Sequence, residues 1–122
     1  MYSTNVKSHV MIAHSFNNPA FGKAQNLHGA TYIIEAEFSS KTIKNNMVIN
    51  IDHAHEALNS VTEKINYKNL DEMREFEGHL TTTEFIASWI HGEIKKKIGT
   101  LFSGSIKITL HESHVASASY QN

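Results

Sequence analysis

The spacing of apolar residues changes period twice along this chain, and that limits the folds open to it. Val6, Val10, Ile12 and His14 fall on one side of a run that alternates every second residue, the signature of a half-buried strand. A second such run extends from about His28 to Phe38. It puts His28, Ala30, Tyr32, Ile34, Ala36 and Phe38 on one face, with Thr31, Glu35 and Glu37 on the other. Between the two, Ser15 to Asn26 is polar, contains Pro19 and Gly22, and reads as a loop. Ser39 to Asn46 reads as a hairpin-type connection, and Met47 to Ile51 as a short returning strand. The period then becomes helical. Asp52 is the expected N-cap of a helix whose stripe is Ala54, Ala57, Leu58, Val61 and Ile65. After a polar connection over Asn66 to Leu80, Thr81-x-x-Glu84 matches a capping box. Phe85, Ile86, Trp89, Ile90, Ile94 and Ile98 form the second stripe, and Gly99 stands where a helix-ending glycine belongs. Two more alternating runs follow, Ser105 to Ser113 and Val115 to Gln121. Strand, strand, two helices, strand, strand predicts an α+β domain: a four-stranded antiparallel sheet with both helices on one face.

No repeat, low-complexity tract or linker interrupts the 122 residues, so a single domain over 1–122 is expected. The formal net charge is −1 with both signs interspersed, which gives no basic face for a nucleic-acid backbone. Lys95-Lys96-Lys97 suits a helix C-terminus better than it suits phosphates. Apolar runs are too short for a membrane span, and the start lacks the apolar stretch of a secretory signal. A cytoplasmic protein is the expectation. Without cysteine there is no disulfide, thiolate site or thiol nucleophile.

Nine histidines stand out, but few have a spacing that suggests chemistry. His14 ends one strand and His28 begins the next, on faces that could converge. Zinc accepts imidazoles so placed, but a catalytic site needs a third protein ligand. His53, His55, His79, His91, His111 and His114 are expected at the surface or behind other residues. Glu112 ends the otherwise apolar row Ile106, Ile108, Leu110. Either the strand stops before it and the carboxylate is solvated, or it lies on the core-facing side and needs a partner. An aminopyrimidinone edge, with adjacent N–H donors, would be such a partner. Thr82, Thr83 and Glu84 open a helix, where hydroxyls and free N–H groups can hold a polar heterocycle or simply cap the helix.

Taken in order, these segments resemble the 6-pyruvoyl-tetrahydropterin synthase family, which includes the bacterial 6-carboxy-tetrahydropterin synthases. Ala13-His14-Ser15-Phe16 is similar to the family's first zinc-histidine segment, and Leu27-His28-Gly29-Ala30-Thr31-Tyr32 to its HGH segment. Met47-Val48-Ile49-Asn50 resembles its "G-M-V-x-D" segment, and Ile65 to Asp71 its "L-D-H-x-x-L-N" segment. Thr82-Thr83-Glu84-Phe85-Ile86-Ala87 resembles the "P-T-x-E" helix start, and His111-Glu112-Ser113 the "x-E-T" strand end. The resemblance implies a tunnelling fold, in which sheets join into a trimeric β-barrel and trimers stack into hexamers. It also implies ligand pockets between subunits, with Thr82, Thr83, Glu84 and Glu112 as contacts to a pterin- or purine-like ring.

Departures from the family pattern fall on its chemistry. The third zinc histidine is Ala30 here, the cysteine position is Ala24, and the Asp-His pair is Asn66 and Tyr67. Alanine can neither ligate nor titrate, a neutral Asn66 cannot steady an imidazolium as an Asp would, and with Tyr67 there is no imidazole to steady. The resemblance therefore implies a binding protein with at most a residual zinc site at His14 and His28, no cofactor expected, and no zinc-dependent lyase reaction. The competing expectation is an enzyme of pterin- or queuosine-type metabolism with altered chemistry, using Tyr67 and Lys68 as a proton-transfer pair once burial lowers the lysine's pKa.

Overall fold

The computed structural model describes residues 1–122. β1 (Tyr2–His14) and β2 (His28–Ser40) are antiparallel along their whole length, with Tyr2 opposite Ser40 and His14 opposite His28. That register stacks the inward faces predicted from parity, Val10 on Tyr32 and Ile12 on Ala30. α1 (Ile51–Thr62) lies over β1, and α2 (Thr83–Ile98) lies over β4 (Ser105–Ser113) and β5 (Ala116–Gln121). Both helices cover the same face, so the core forms between them and the sheet. Its centre is Tyr32, Ile34 and Phe38 from β2, Leu58 and Ile65 from the α1 region, and Ile86, Ile90 and Ile94 from α2. The opposite face carries Lys7, His9, Glu35, Glu37, Lys107 and His111, with Met11 and Ile33 about half exposed among them.

The sheet differs from the expectation in strand number and direction. A two-residue strand, β3 (Lys68–Asn69), pairs parallel to β1 at Ile12 and Ala13, giving a mixed five-stranded sheet in the order β3-β1-β2-β4-β5. The connection that contains it is also less polar in effect than its composition suggests, since Leu70 and Phe76 are buried. Likewise, the loop after β1 contains a 3-10 segment, Pro19–Gln25.

Three local expectations are corrected. Met47 to Ile51 is not a strand. Asn45 and Asn46 both take left-handed backbone (φ 53° and 58°), the geometry of a tight primed turn, and only Lys44 and Met47 bridge across it. Asn50, not Asp52, caps α1: its Oδ1 accepts the N–H groups of Asp52 and His53 at 2.9 and 3.2 Å. Asp52 instead lies in the first turn, where a carboxylate faces the positive end of the helix dipole. The Thr81-x-x-Glu84 capping box does not form. Thr82 is the cap, its hydroxyl accepting from the N–H of Phe85 at 3.2 Å. Thr81 is unavailable because its buried hydroxyl is bonded to His14. At the other end of α2, Gly99 has φ 56° and ψ −127°, a combination that disfavours a side chain, as expected of a helix-ending glycine.

Candidate functional site

The β1–β2 register places His14 directly opposite His28 at the open end of the ladder, their ring centroids 4.6 Å apart. Each ring is held from behind. His14 Nδ1 lies 3.1 Å from the Thr81 hydroxyl, and His28 Nδ1 donates to the Asn26 carbonyl at 2.8 Å. The Phe16 ring packs on both imidazoles. Both Nδ1 atoms being engaged, Nε2 is the nitrogen each ring leaves for a ligand, and this is how the outer hydrogen bonds of metal-binding histidines orient them. Burial, followed by the neighbouring His28, holds the His14 pKa below its ordinary value, while Asp71 and Thr81 pull the other way.

The donor set stops there. Ala30, next along the same face of β2, lies opposite Ile12 and offers only a methyl group. No three His, Cys, Asp or Glu side chains gather anywhere in the chain as a metal site would require. Asp71, the nearest acid to affect His14, has its two oxygens on the Ser15 N–H and Oγ–H at 3.2 and 2.6 Å. Two imidazoles do not meet the need of a catalytic zinc for three protein ligands, so the residues present do not fit that ion.

Ala24 sits in the 3-10 segment beside this pair, its carbonyl accepting the Phe16 N–H at 3.1 Å. Its position is near the histidines, but its side chain has no proton to give or take. Asn66 serves the backbone instead, its Oδ1 accepting the Met11 N–H at 3.0 Å, which secures the edge of β1. Tyr67 is 79% exposed with φ 60°, held by its N–H on the Met11 carbonyl at 2.7 Å. Lys68 beside it is exposed as well.

Further along β2, a second cluster forms. Tyr32 is buried, and its hydroxyl pKa is pushed up to about 12, first by burial and then by the Glu112 carboxylate, against the pull of the Thr83 hydroxyl. The Glu112 carboxylate and Thr83, in the first turn of α2, thus both act on the Tyr32 hydroxyl. β4 does not end before Glu112. It continues to Ser113, with a bulge at Glu112: His111 pairs with Ser117 and Ser113 with Ala116, leaving Glu112 as the extra residue. Bulges re-aim side chains and recur beside active sites. Here the carboxylate leaves the apolar row and is exposed on this chain. Of the predicted helix-start contacts, Thr83 reaches this cluster, Thr82 is occupied with capping, and Glu84 is exposed in the first turn.

Sequence reasoning does not single out Tyr32 or Thr81. Tyr32 has a usable signal, because parity puts it on the His28 face. Thr81 has none, because its bond to His14 joins residues far apart in the chain. Of the remaining histidines, His91 lies behind other residues: it is buried, 3.2 Å from Asn122 Oδ1 and packed on Tyr120. His111 lies on the outer face, 2.7 Å from Glu35. Beyond His14, a cleft of about 450 Å³ opens, with Ser15, Asp71, Glu77, His79 and Thr81 along its wall.

Comparison with solved structures shows the same fold. The 6-pyruvoyl tetrahydropterin synthase of Caenorhabditis elegans superposes with a TM-score of 0.85 at 18% identity, over 99% of this chain and 95% of that one. The synthase of Plasmodium vivax gives 0.80 at 16% identity, over 99% and 97%. An uncharacterized protein from Wolinella succinogenes gives 0.73 at 16% identity, over 99% and 98%. The α+β tunnelling fold is thus established, with the extra strand β3 at the sheet edge. No curated protein sequence matches the chain significantly. The family model for 6-pyruvoyl tetrahydropterin synthase matches residues 3–122, and the chain belongs to that family.

Proposed function

We propose that this protein binds a pterin- or purine-type heterocycle at Glu112, in a cleft between subunits of a cytoplasmic homo-oligomer, without the zinc-dependent lyase reaction associated with its family. The observation that carries this reading is the bulge that turns the Glu112 carboxylate out of the apolar row of β4 and leaves it exposed, where its charge acts on the buried Tyr32 hydroxyl. A carboxylate on a bulge, near a buried phenol, is suited to accept two adjacent N–H donors of an aminopyrimidinone edge. Such an anchor needs only hydrogen bonds. It is independent of Ala24, Ala30, Asn66 and Tyr67, where the groups for proton transfer and metal binding are missing. The lyase reaction, in contrast, calls for a polarising metal and a positioned acid and base.

An altered chemistry through Tyr67 and Lys68 has less support. Both side chains are exposed on this chain, so the burial that would tune a lysine for proton transfer is not provided by its own fold.

A thermal-shift series with pterins and purines tests the proposal. A ligand present at 100 times its Kd should stabilise the native state by about 2.7 kcal/mol. Glu112→Gln should abolish the shift and leave assembly intact, because once the ligand and a neighbouring subunit enclose this exposed carboxylate, loss of one partner of the charged hydrogen bond costs on the order of 2–5 kcal/mol of binding. If no pterin or purine shifts the wild type, the anchor reading fails. Zinc-dependent turnover of dihydroneopterin triphosphate by the wild type would refute the inactivity.

A further inference from the structure

The hydrogen bonds at the two ends of the sheet fix which way the peptide groups of its outer strands point. Met11 directs its N–H away from β2, to Asn66 Oδ1 at 3.0 Å, and its C=O to the Tyr67 N–H at 2.7 Å. Peptide groups alternate in direction along a strand, so Ser3, Asn5, Lys7 and His9 also face outwards. On β5, the N–H of Asn122 turns inwards to the Ile106 carbonyl, and the same alternation leaves Ser117, Ser119 and Gln121 facing outwards. One difference separates these edges. β5 is open along its length, whereas β1 is closed at one end. There both groups of Met11 are taken, and Lys68 and Asn69 of β3 pair beside Ile12 and Ala13. Tyr67 makes its bond from left-handed backbone, φ 60°, a conformation that a bulky residue keeps only where its surroundings impose it.

We propose that Asn66 and Tyr67 form an edge stop, which confines strand addition to the stretch of β1 from Ser3 to His9, and that the strand admitted there is β5 of a second copy. The proposal rests on the homo-oligomer put forward above and is independent of the Glu112 anchor. Parity selects the partner. Three rows cross the sheet: Asn5, Glu37, Lys107, Gln121; then Lys7, Glu35, Thr109, Ser119; then His9, Ile33, His111, Ser117. The outward-facing residues of both edges thus carry their side chains on the face without helices. Joined edge to edge, they continue one sheet and keep every helix on the same side. Strand direction agrees. β1, β2, β4 and β5 alternate, so rotation about an axis along the strands brings β5 antiparallel to the next β1. Serine and glutamine then meet Asn5, Lys7 and His9 with no like charges opposed. A stop has a use here because β5 has 6 residues and β1 has 13, so a shift by two residues would preserve parity and only a blocked position limits it.

The chain has no cysteine, so engineered cysteine pairs report on this joint alone. Residues directly opposed in such a ladder have Cα atoms about 5.5 Å apart, within reach of a disulfide. In one chain β2 and β4 lie between β1 and β5, so any such bond joins two copies. Ser119→Cys is combined in turn with Ser3→Cys, Asn5→Cys, Lys7→Cys and His9→Cys. At least one pair should give a disulfide-linked oligomer on a denaturing gel, and Ser119→Cys with Met11→Cys should give none. Amide exchange tests the stop itself. Asn66→Ala should speed exchange of the Met11 amide about tenfold or more, whereas Asn66→Asp, which keeps an acceptor oxygen, should not. A cross-link at Met11, or a Met11 amide still protected in Asn66→Ala, overturns the stop, because a partner strand then covers that position. A linked dimer from Lys7→Cys alone sets β1 against β1 and overturns the choice of β5. If all pairs stay unlinked while sedimentation finds trimers or hexamers, the proposal fails and the oligomer stands. Monomer alone overturns both.

Discussion

Thr81 and His14 are separated by most of the chain, yet one hydroxyl between them fixes the inner imidazole of the pair. Thr81→Val keeps the side-chain shape and removes that hydroxyl, so a buried ring nitrogen loses its partner. The expected loss of stability is about 1–3 kcal/mol, read from urea unfolding, while Thr81→Ser should retain most of it. A second prediction concerns the residue between the histidines and Tyr32. Ala30→His adds a third imidazole on the His28 face, next to two rings whose Nδ1 atoms are already engaged. Metal analysis of untagged protein should find stoichiometric zinc in that variant and substoichiometric zinc in the wild type; stoichiometric zinc in the wild type would contradict the two-ligand reading. At this scale the sequence is only partly legible. Strand parity suffices to put His14 and His28 on the inner face and leaves Glu112 open between core and solvent. It does not foresee the bulge at Glu112, which arises from how β5 pairs back onto β4 and has no local signature. Thr81 looks like a helix cap for a similar reason, its actual partner lying in β1.

Helices and long strands are legible because each repeats its pattern over many residues, and their apolar stripes are the buried ones. Short elements are not. β3 is two polar residues whose strand geometry is imposed by β1, and the α1 cap falls to Asn50 because a side-chain oxygen there reaches two N–H groups at once. Two predictions belong to elements. Gly104 leads into β4, and a Cβ there would collide with the Ser39 carbonyl oxygen at the end of β2 and with the Phe102 ring. Gly104→Ala should therefore destabilise by about 1–3 kcal/mol in equilibrium unfolding, the usual range for overpacking. The helices are also joined by charge: Glu93 on α2 receives Lys64, just beyond α1, at 2.9 Å, and Lys96 at 3.2 Å. The hydrogen bond from Lys64 is the main reason the Glu93 pKa is lowered, and Lys96 adds to it. A lowered carboxyl pKa contributes stability that is present above its ordinary value of 4.5 and disappears as pH falls through the folded value. Urea midpoints measured from pH 6 down to pH 3 should fall less steeply for Glu93→Gln than for the wild type.

As a whole molecule, the single chain leaves both sides of its sheet incomplete. β5 has no neighbour on its outer side, and β3 covers β1 only at Ile12 and Ala13. Exposed edges of this kind invite pairing, and closure into a barrel removes them. Sedimentation at micromolar concentration should find trimers or hexamers, and monomer alone would overturn the proposed assembly. The absence of reacting groups at Ala24 and Ala30 bears on how such an assembly would act. In the proposed binding role, the protein would hold a ring without transforming it and would reach saturation, each chain removing one molecule from solution and returning it unchanged. Its influence on the ligand pool would then be set by how many copies are present and how long each stays occupied, so that doubling the protein would double the reserve and leave the flux alone.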